Sequence, residues 1–258
     1  MARRTVSFDG TSLQSSTIKT QDFEHESMDN RDVLIERLGN RDGGKLVSDI
    51  FAPRIIRLAG IITGTTIDDL ENNIDNLKEL LNRKEKNLDI QYSSGTRRYK
   101  ASCTSFRIAR KHFNITFAPF EATFVVANPP FGTLLDSTTV GFAGVGTNFG
   151  TFNGNFTASG TRRPMPVIKM TVKGQSNMTK ATFTNTTTGG SISVTRTYAD
   201  NDVLVVDTDN YTVTVNDVAV DYDGVFPEFA QGGNNFKRII ASTWHSVELK
   251  LIYRPLYL

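Results

Sequence analysis

The sequence predicts a mainly β protein in two domains: a sandwich-like first domain holding one amphipathic helix, then an antiparallel β-sandwich. Three observations predict this. Apolar residues alternate with a period of two in short runs between Arg54 and Tyr253. A single segment, Ile67 to Lys84, repeats instead every three or four residues. Finally, charge thins at Asn128-Pro129-Pro130, with 19 basic and 17 acidic residues in 1–128 but 10 of each in 129–258. Asn-Pro-Pro cannot continue a strand ladder, because proline lacks an amide hydrogen and restricts the residue before it. The expected domains are therefore 1–128 and 129–258, each a usual domain size.

In chain order, Arg54 to Ile62 reads as a strand leading into the helix. Thr66 is placed as its N-cap and Asp69 as the reciprocal capping residue, with Asp68, Asp69 and Glu71 favourable at the positive N-terminal end. Ile67, Leu70, Ile74, Leu77 and Leu81 form the apolar stripe, and the helix is expected over 66–84. Leu88, Ile90 and Tyr92 then alternate, a Ser93-Ser94-Gly95-Thr96 turn follows, and Tyr99, Ala101 and Cys103 alternate back, which is a hairpin. A second pair is read from Phe106 and Ile108 to Phe113, Ile115 and Phe117 across a polar Arg110-Lys111-His112 turn. In the second half, glycines and phenylalanines interleave through 141–160, and strands follow at 164–172, 191–198, 203–206, 211–215 and 247–253. Short Asn, Asp and Gly turns separate these strands, the pattern of a sandwich.

The residues exclude several chemistries. Lys plus Arg is 29 against 27 Asp plus Glu, so nothing here coats nucleic acid by bulk charge. The lone Cys103 provides no disulfide framework or Cys-based zinc site, and is expected on an inward face. His25, His112 and His245 are too scattered for a metal-ligand spacing, and no metal or cofactor is expected. The first residues lack the apolar run of a secretory signal, and no uncharged stretch is long enough to span a bilayer. A soluble, non-enzymatic protein is the expectation. The glycines at 144, 146 and 150 have the wrong spacing for a dinucleotide loop, and no helix follows them.

Two stretches of opposite sign remain. Eight acids and no base lie between Asp200 and Glu228, and are read as turn residues rather than a calcium site. Arg97, Arg98, Lys100, Arg107, Arg110 and Lys111 form a run without an acid. Either they are a solvated outer face, or Arg97, Arg98, Arg107, Arg110 and Lys111 are a protein-contact surface.

Taken in order, the segments resemble a known family. Ile56-Arg-Leu-Ala-Gly-Ile-Ile-Thr-Gly-Thr-Thr-Ile-Asp-Asp-Leu, the helix, Leu88-Asp-Ile-Gln-Tyr and Arg98-Tyr-Lys-Ala are similar to one half of the distal tail proteins of long-tailed, non-contractile bacteriophages. Pro166-Val-Ile-Lys-Met, Phe183-Thr-Asn-Thr-Thr-Thr-Gly-Gly, Asp202 to Asp207 and Phe226-Pro-Glu-Phe-Ala-Gln-Gly-Gly-Asn-Asn-Phe236 resemble the other half. Gly232-Gly233 stands where that family commonly has Pro-Gly. The resemblance implies a galectin-like C-terminal sandwich and a structural protein of the virion tail tip, made in the bacterial host cytoplasm. It also implies a ring, usually of six copies, between the tail-tube protein and the baseplate hub. DNA would pass through its lumen without sequence-specific contact, and nothing would insert into a membrane. The alternative is a host-adhesion protein that binds carbohydrate through the C-terminal sandwich, for which Trp244 is the only tryptophan.

Overall fold

A computed structural model of the chain describes residues 5–24, 31–37, 44–109, 115–127, 129–142, 151–174, 177–241 and 246–257. The protein is mainly β with one helix among the described residues, as expected. It divides into two compact units, Met1–Leu135 and Asp136–Tyr257. The division falls a few residues beyond Pro129-Pro130 for a physical reason. The chain re-forms a short strand after the prolines, and Thr133 and Leu134 pair with Arg98 and Arg97 of the first unit.

In the first unit the strands are β1 (Val6–Phe8), β2 (Thr11–Ser12), β3 (Ile18–Glu24), β4 (Arg31–Arg37), β5 (Gly44–Phe51), β6 (Arg54–Thr63), β7 (Lys86–Tyr92), β8 (Gly95–Ile108), β9 (Phe117–Val126) and β10 (Gly132–Leu134). Eight of them form one antiparallel sheet: seven run in the order β2-β1-β7-β8-β9-β6-β3, and β10 pairs with β8. Helix α1 (Ile67–Leu81) lays Leu70, Ile74, Leu77, Leu80 and Leu81 on the inner face of that sheet. There they meet Ile56, Leu58, Ile62, Leu88, Ile90 and Phe124. Each such side chain contributes about 1.5–3 kcal/mol on burial.

Thr66 is the N-cap, its hydroxyl accepting from the Asp69 amide at 3.1 Å. The reciprocal half is displaced by one residue: the Asp69 carboxylate accepts from the amide of Thr65 at 2.7 Å, not from that of Thr66. The expected end at Lys84 is corrected to Leu81. Asn82 caps the last carbonyls, Glu85 takes a positive φ of 52°, and Arg83 leaves the helix to pair with Asp9 at 2.8 Å. Ile67, counted in the apolar stripe, is exposed in the first turn.

The sequence suggests two strands between Tyr99 and Ile108; the structure has one. A register shift between Cys103 and Ser105 in β8 inserts one extra residue, Thr104. Tyr99, Ala101 and Cys103 before it therefore face the same core as Phe106 and Ile108 after it. The Cys103 thiol packs against this core, and burial pushes its pKa up, away from reactivity. The return strand starts at Phe117; Arg110 to Asn114 lie outside the described residues.

The second unit comprises β11 (Thr138–Phe142), β12 (Thr151–Ala158), β13 (Val167–Val172), β14 (Lys180–Asn185), β15 (Ser191–Thr195), β16 (Val203–Asp207), β17 (Thr212–Val215), β18 (Val218–Ala219), β19 (Asp223–Gly224), β20 (Gly232–Ala241) and β21 (Val247–Tyr253). They form two sheets, β11-β21-β13-β16-β17-β18 and β12-β20-β14-β15-β19. Ile168, Met170, Leu204 and Leu249 of the first sheet share one core with Phe183, Ile192, Phe236 and Ile240 of the second. That is a two-layer sandwich.

The acids of 200–228 act largely in turns. Asp202 accepts from the Ala199 amide at 2.8 Å and the Asn216 side chain at 2.8 Å. The Ala199 bond, against the cost of burial, holds its carboxyl below the usual range. Asp207 accepts from the amides of Asp209 and Asn210 at 2.9 and 3.0 Å. Asn216 and Asp217, with φ of 50° and 64°, make the two-residue turn that joins β17 to β18.

The inner face of the second unit also holds a charge. Arg238 of β20 is 0 % exposed, on the face that also carries Asn234, Phe236 and Ile240. Its nitrogens have no hydrogen-bond partner among the described residues, and its guanidinium lies 5.6 Å from the Phe152 ring centre. Burial lowers its pKa to about 10, so it is held as a cation at neutral pH. An unpaired buried cation costs stability, and an apolar side chain of similar length should not. Arg238→Met is expected to raise the unfolding free energy by ~1–4 kcal/mol, read as a higher denaturant midpoint at unchanged slope. A lower midpoint would show that the guanidinium has a stabilising partner.

Candidate assembly surfaces

The structure does not gather the basic run into one patch. In β8, Arg98, Lys100 and Arg107 project from the outer face of the sheet and Arg97 from the inner face. Arg98 binds Asp89 on β7 through two 2.7 Å bonds from Nε and Nη2. Arg97 stacks its guanidinium 3.9 Å from the centre of the Tyr92 ring. Nine residues of strand, about 30 Å at ~3.3 Å per residue, separate Arg98 from Arg107. Arg110 and Lys111 lie outside the described residues.

Arg107 sits differently. It lies across from Glu121 in the β8–β9 register, beside a groove of ≈ 360 Å³ that also has Asp22, Glu24 and Arg57 on its walls. Arg57 and Glu24 pair at 3.1 Å, while Arg107 makes no ion pair among the described residues. The outer sheet face is polar around this groove and apolar beyond it in both strand directions. Cross-strand partners Ile55 and Val125 stand at one end, Ile61 and Pro119 at the other, with exposed Phe117 beyond.

A second surface carries no motif. Strands β4 and β5 pair only with each other, as a ribbon apart from the main sheet. A shift between Leu34 and Ile35 leaves Val47 as the extra residue on β5. Val33, Leu34, Ile35, Leu46, Val47 and Ile50 are between 49 and 60 % exposed. Val33 and Ile35 point to one face and Leu34 to the other, so the ribbon is apolar on both sides. Two strands alone are marginal in water, and a solvated apolar ribbon is an aggregation hazard unless something covers it. The sequence does hold its signal: turn residues Gly39-Asn-Arg-Asp-Gly-Gly44 between the runs Val33-Leu-Ile35 and Leu46-Val47. Consecutive apolar residues show no period of two, which is why alternation does not find it.

In the second unit, the phrase Phe226 to Phe236 is held by a buried amide pair. Asn234 Oδ1 accepts from Asn185 Nδ2 at 2.9 Å and from the Ala230 amide at 2.8 Å. Its Nδ2 donates to the carbonyls of Ala230 and Gly232 at 2.8 and 3.0 Å. Asn185 Nδ2 also donates to the Glu228 carbonyl at 2.7 Å, and Thr188 donates to the same oxygen. Among the described residues no cluster of His, Cys, Asp and Glu is arranged to hold a metal ion.

The second unit is thus a two-layer β-sandwich closed by a buried amide pair. Residues 159–257 match the family described as siphovirus-type tail component, C-terminal domain. Over that stretch the chain is similar to that family's domain, in keeping with its resemblance to phage distal tail proteins. The whole chain also shares the fold of the SPP1 Dit protein (gp 19.1), described as a paradigm of the hub adsorption apparatus in phages infecting Gram-positive bacteria. The TM-score is 0.73 at 15 % identity, with 100 % of both chains covered. A chain of the phage P2 baseplate in its activated conformation with Ca aligns over 97 % of this chain and 98 % of its own at 10 % identity, with a TM-score of 0.42. No curated protein matches the sequence.

Proposed function

We propose that this protein is a structural subunit of the siphovirus tail tip that closes into a ring, usually of six copies, between the tail tube and the baseplate hub. The observation that carries assembly is the two-sided apolar ribbon β4–β5, which needs a cover that its own sheet does not provide. The matched tail-component domain and the Dit-like fold support the location. A second copy provides the cover: the ribbon of one subunit lies across the outer sheet face of the next, its apolar residues over Ile55, Val125, Ile61 and Pro119. The ribbon's own Asp32 and Glu36 face the Arg107 side of the groove. Such a contact joins two different patches, so it propagates head to tail and closes by rotation. DNA passes through the lumen without being read, and the protein performs no catalysis.

Gold-labelled antibody against this chain should mark one site per virion, at the end of the tail farthest from the head. Label along the whole tube or on the head would overturn the reading. Reversing charge at Arg107 and Arg110 together should weaken assembly at least ten-fold in concentration, whereas Arg98→Ala should leave it unchanged because Arg98 is already bound to Asp89. Assembly indifferent to both changes would remove the basic residues from the interface.

A further inference from the structure

The second unit contains a groove that assembly through the ribbon does not use. Tyr211, Tyr222 and Phe226 line it, with Arg163 and Glu228 at its mouth, and its volume is ≈ 430 Å³. Both tyrosine rings meet Phe226 edge-on, at centroid distances of 5.4 and 5.2 Å. Tyr211 is 67 % exposed, and Val225, which also lines the groove, 69 %. The backbone beneath Tyr211 is also unusual. Its φ is 54°, in the left-handed region that a bulky aromatic rarely enters and that costs about 1 kcal/mol or more. Asp207 holds the turn in place by accepting from the Asp209 and Asn210 amides and, at 2.9 Å, from Asn210 Nδ2. A strained residue that buries little of its ring is not explained by packing.

We infer that the Tyr211–Phe226–Tyr222 groove binds a neutral saccharide. Aromatic faces cover the C–H surfaces of a sugar ring, and the volume lies in the range of small-ligand sites with a few placed polar groups. Arg163 and Glu228 pair at 2.9 Å but are 69 and 72 % exposed in their side chains, so each exchanges its partner for sugar hydroxyls at little cost. Charge favours a neutral ligand. Glu228 offsets Arg163 in the lining, and Asp221 and Asp223 flank Tyr222 in the chain as Asp209 stands two residues before Tyr211, so a phosphate- or carboxylate-bearing polymer gains no net attraction. Edge pairing with an extended peptide is disfavoured, because the adjacent edge strand β19 has two residues, Asp223–Gly224. The Asn185–Asn234 pair fixes the Glu228 carbonyl and so the backbone of one lining residue.

The test titrates the full chain with neutral hexose and N-acetylhexosamine oligosaccharides, followed by saturation-transfer NMR and calorimetry. Sialylated oligosaccharides, poly(glycerol phosphate) and a proline-rich peptide form the other arms. Tyr211→Gly is the key variant, since glycine relieves the positive φ and should not lower stability while it removes the ring. Tyr222→Ala provides a second. At least one neutral oligosaccharide should bind, at least ten-fold weaker to either variant, with Tyr211→Phe close to the parent. Failure of every neutral sugar, binding unchanged in both variants, or preference for the anionic polymers or the peptide would each overturn the inference. None of these outcomes bears on ring formation, which is read separately from particle mass.

Discussion

Placing two carboxylates on the ribbon, Leu34→Glu with Ile50→Glu, is expected to reduce the assembled protein to single subunits without unfolding them. Both side chains lie on one face of the ribbon and are about 60 % exposed in the isolated subunit. Surface changes of this kind shift folding stability by only about ±0.5 kcal/mol. At an interface the sum differs. Each substitution gives up ~1.5–3 kcal/mol of apolar burial and also brings a charge to be desolvated. A head-to-tail ring applies that loss at every junction, so the assembled state should vanish over a range of at least a hundred-fold in concentration. Sedimentation velocity, with circular dichroism as the folding control, reads both quantities. A ring that persists in the double variant would remove the ribbon from the interface.

Loss of the buried amide pair should have the largest effect on folding. Asn234 is 2 % exposed and Asn185 0 %. Asn234→Ala strands the Ala230 amide and carbonyl and one donor position of Asn185, with no room nearby for a full hydration shell. Each unsatisfied buried group costs about 1–3 kcal/mol, so a loss of ~3–5 kcal/mol is expected in the C-terminal unit. Asn234→Asp should cost at least as much, because it keeps the two accepting bonds but turns a carboxylate oxygen toward the carbonyls of Ala230 and Gly232 and buries an unpaired charge. Urea denaturation followed by aromatic fluorescence measures the series. Equal stability of all three proteins would mean that water replaces the pair and that Phe226 to Phe236 is held by its phenylalanines alone.

The parts of the fold legible in the sequence are those in which one face of an element is buried. The stripe of α1 and the alternation in β6, β7, β13 and β21 record burial on one side, and the periodicity follows. Two kinds of feature escape that rule. The extra residue in β8 shifts the phase, so a single strand reads as two, and the ribbon β4–β5 is apolar on both faces with nothing of its own sheet to pack against. Side-chain identity alone is equally blind to partnership. Arg97, Arg98 and Arg107 look like one basic run, but Arg98 is bound to Asp89 and Arg97 faces inward. Asn234 and Asn185 are 49 residues apart in the chain, and only the fold shows them to be one hydrogen-bonded unit. The sugar-facing candidate also moves from Trp244, outside the described residues, to Tyr211 and Tyr222, which sit in turns where sequence offers only Asp and Asn as signals.

Closure of this chain into a ring is read from the mass of the purified full-length particle by native mass spectrometry, with negative-stain images of the same sample. The expected result is a single assembly of six 28.6 kDa subunits with an open centre. A strictly monomeric protein at every concentration, even with the tail-tube and hub proteins of the same virion added, would contradict it.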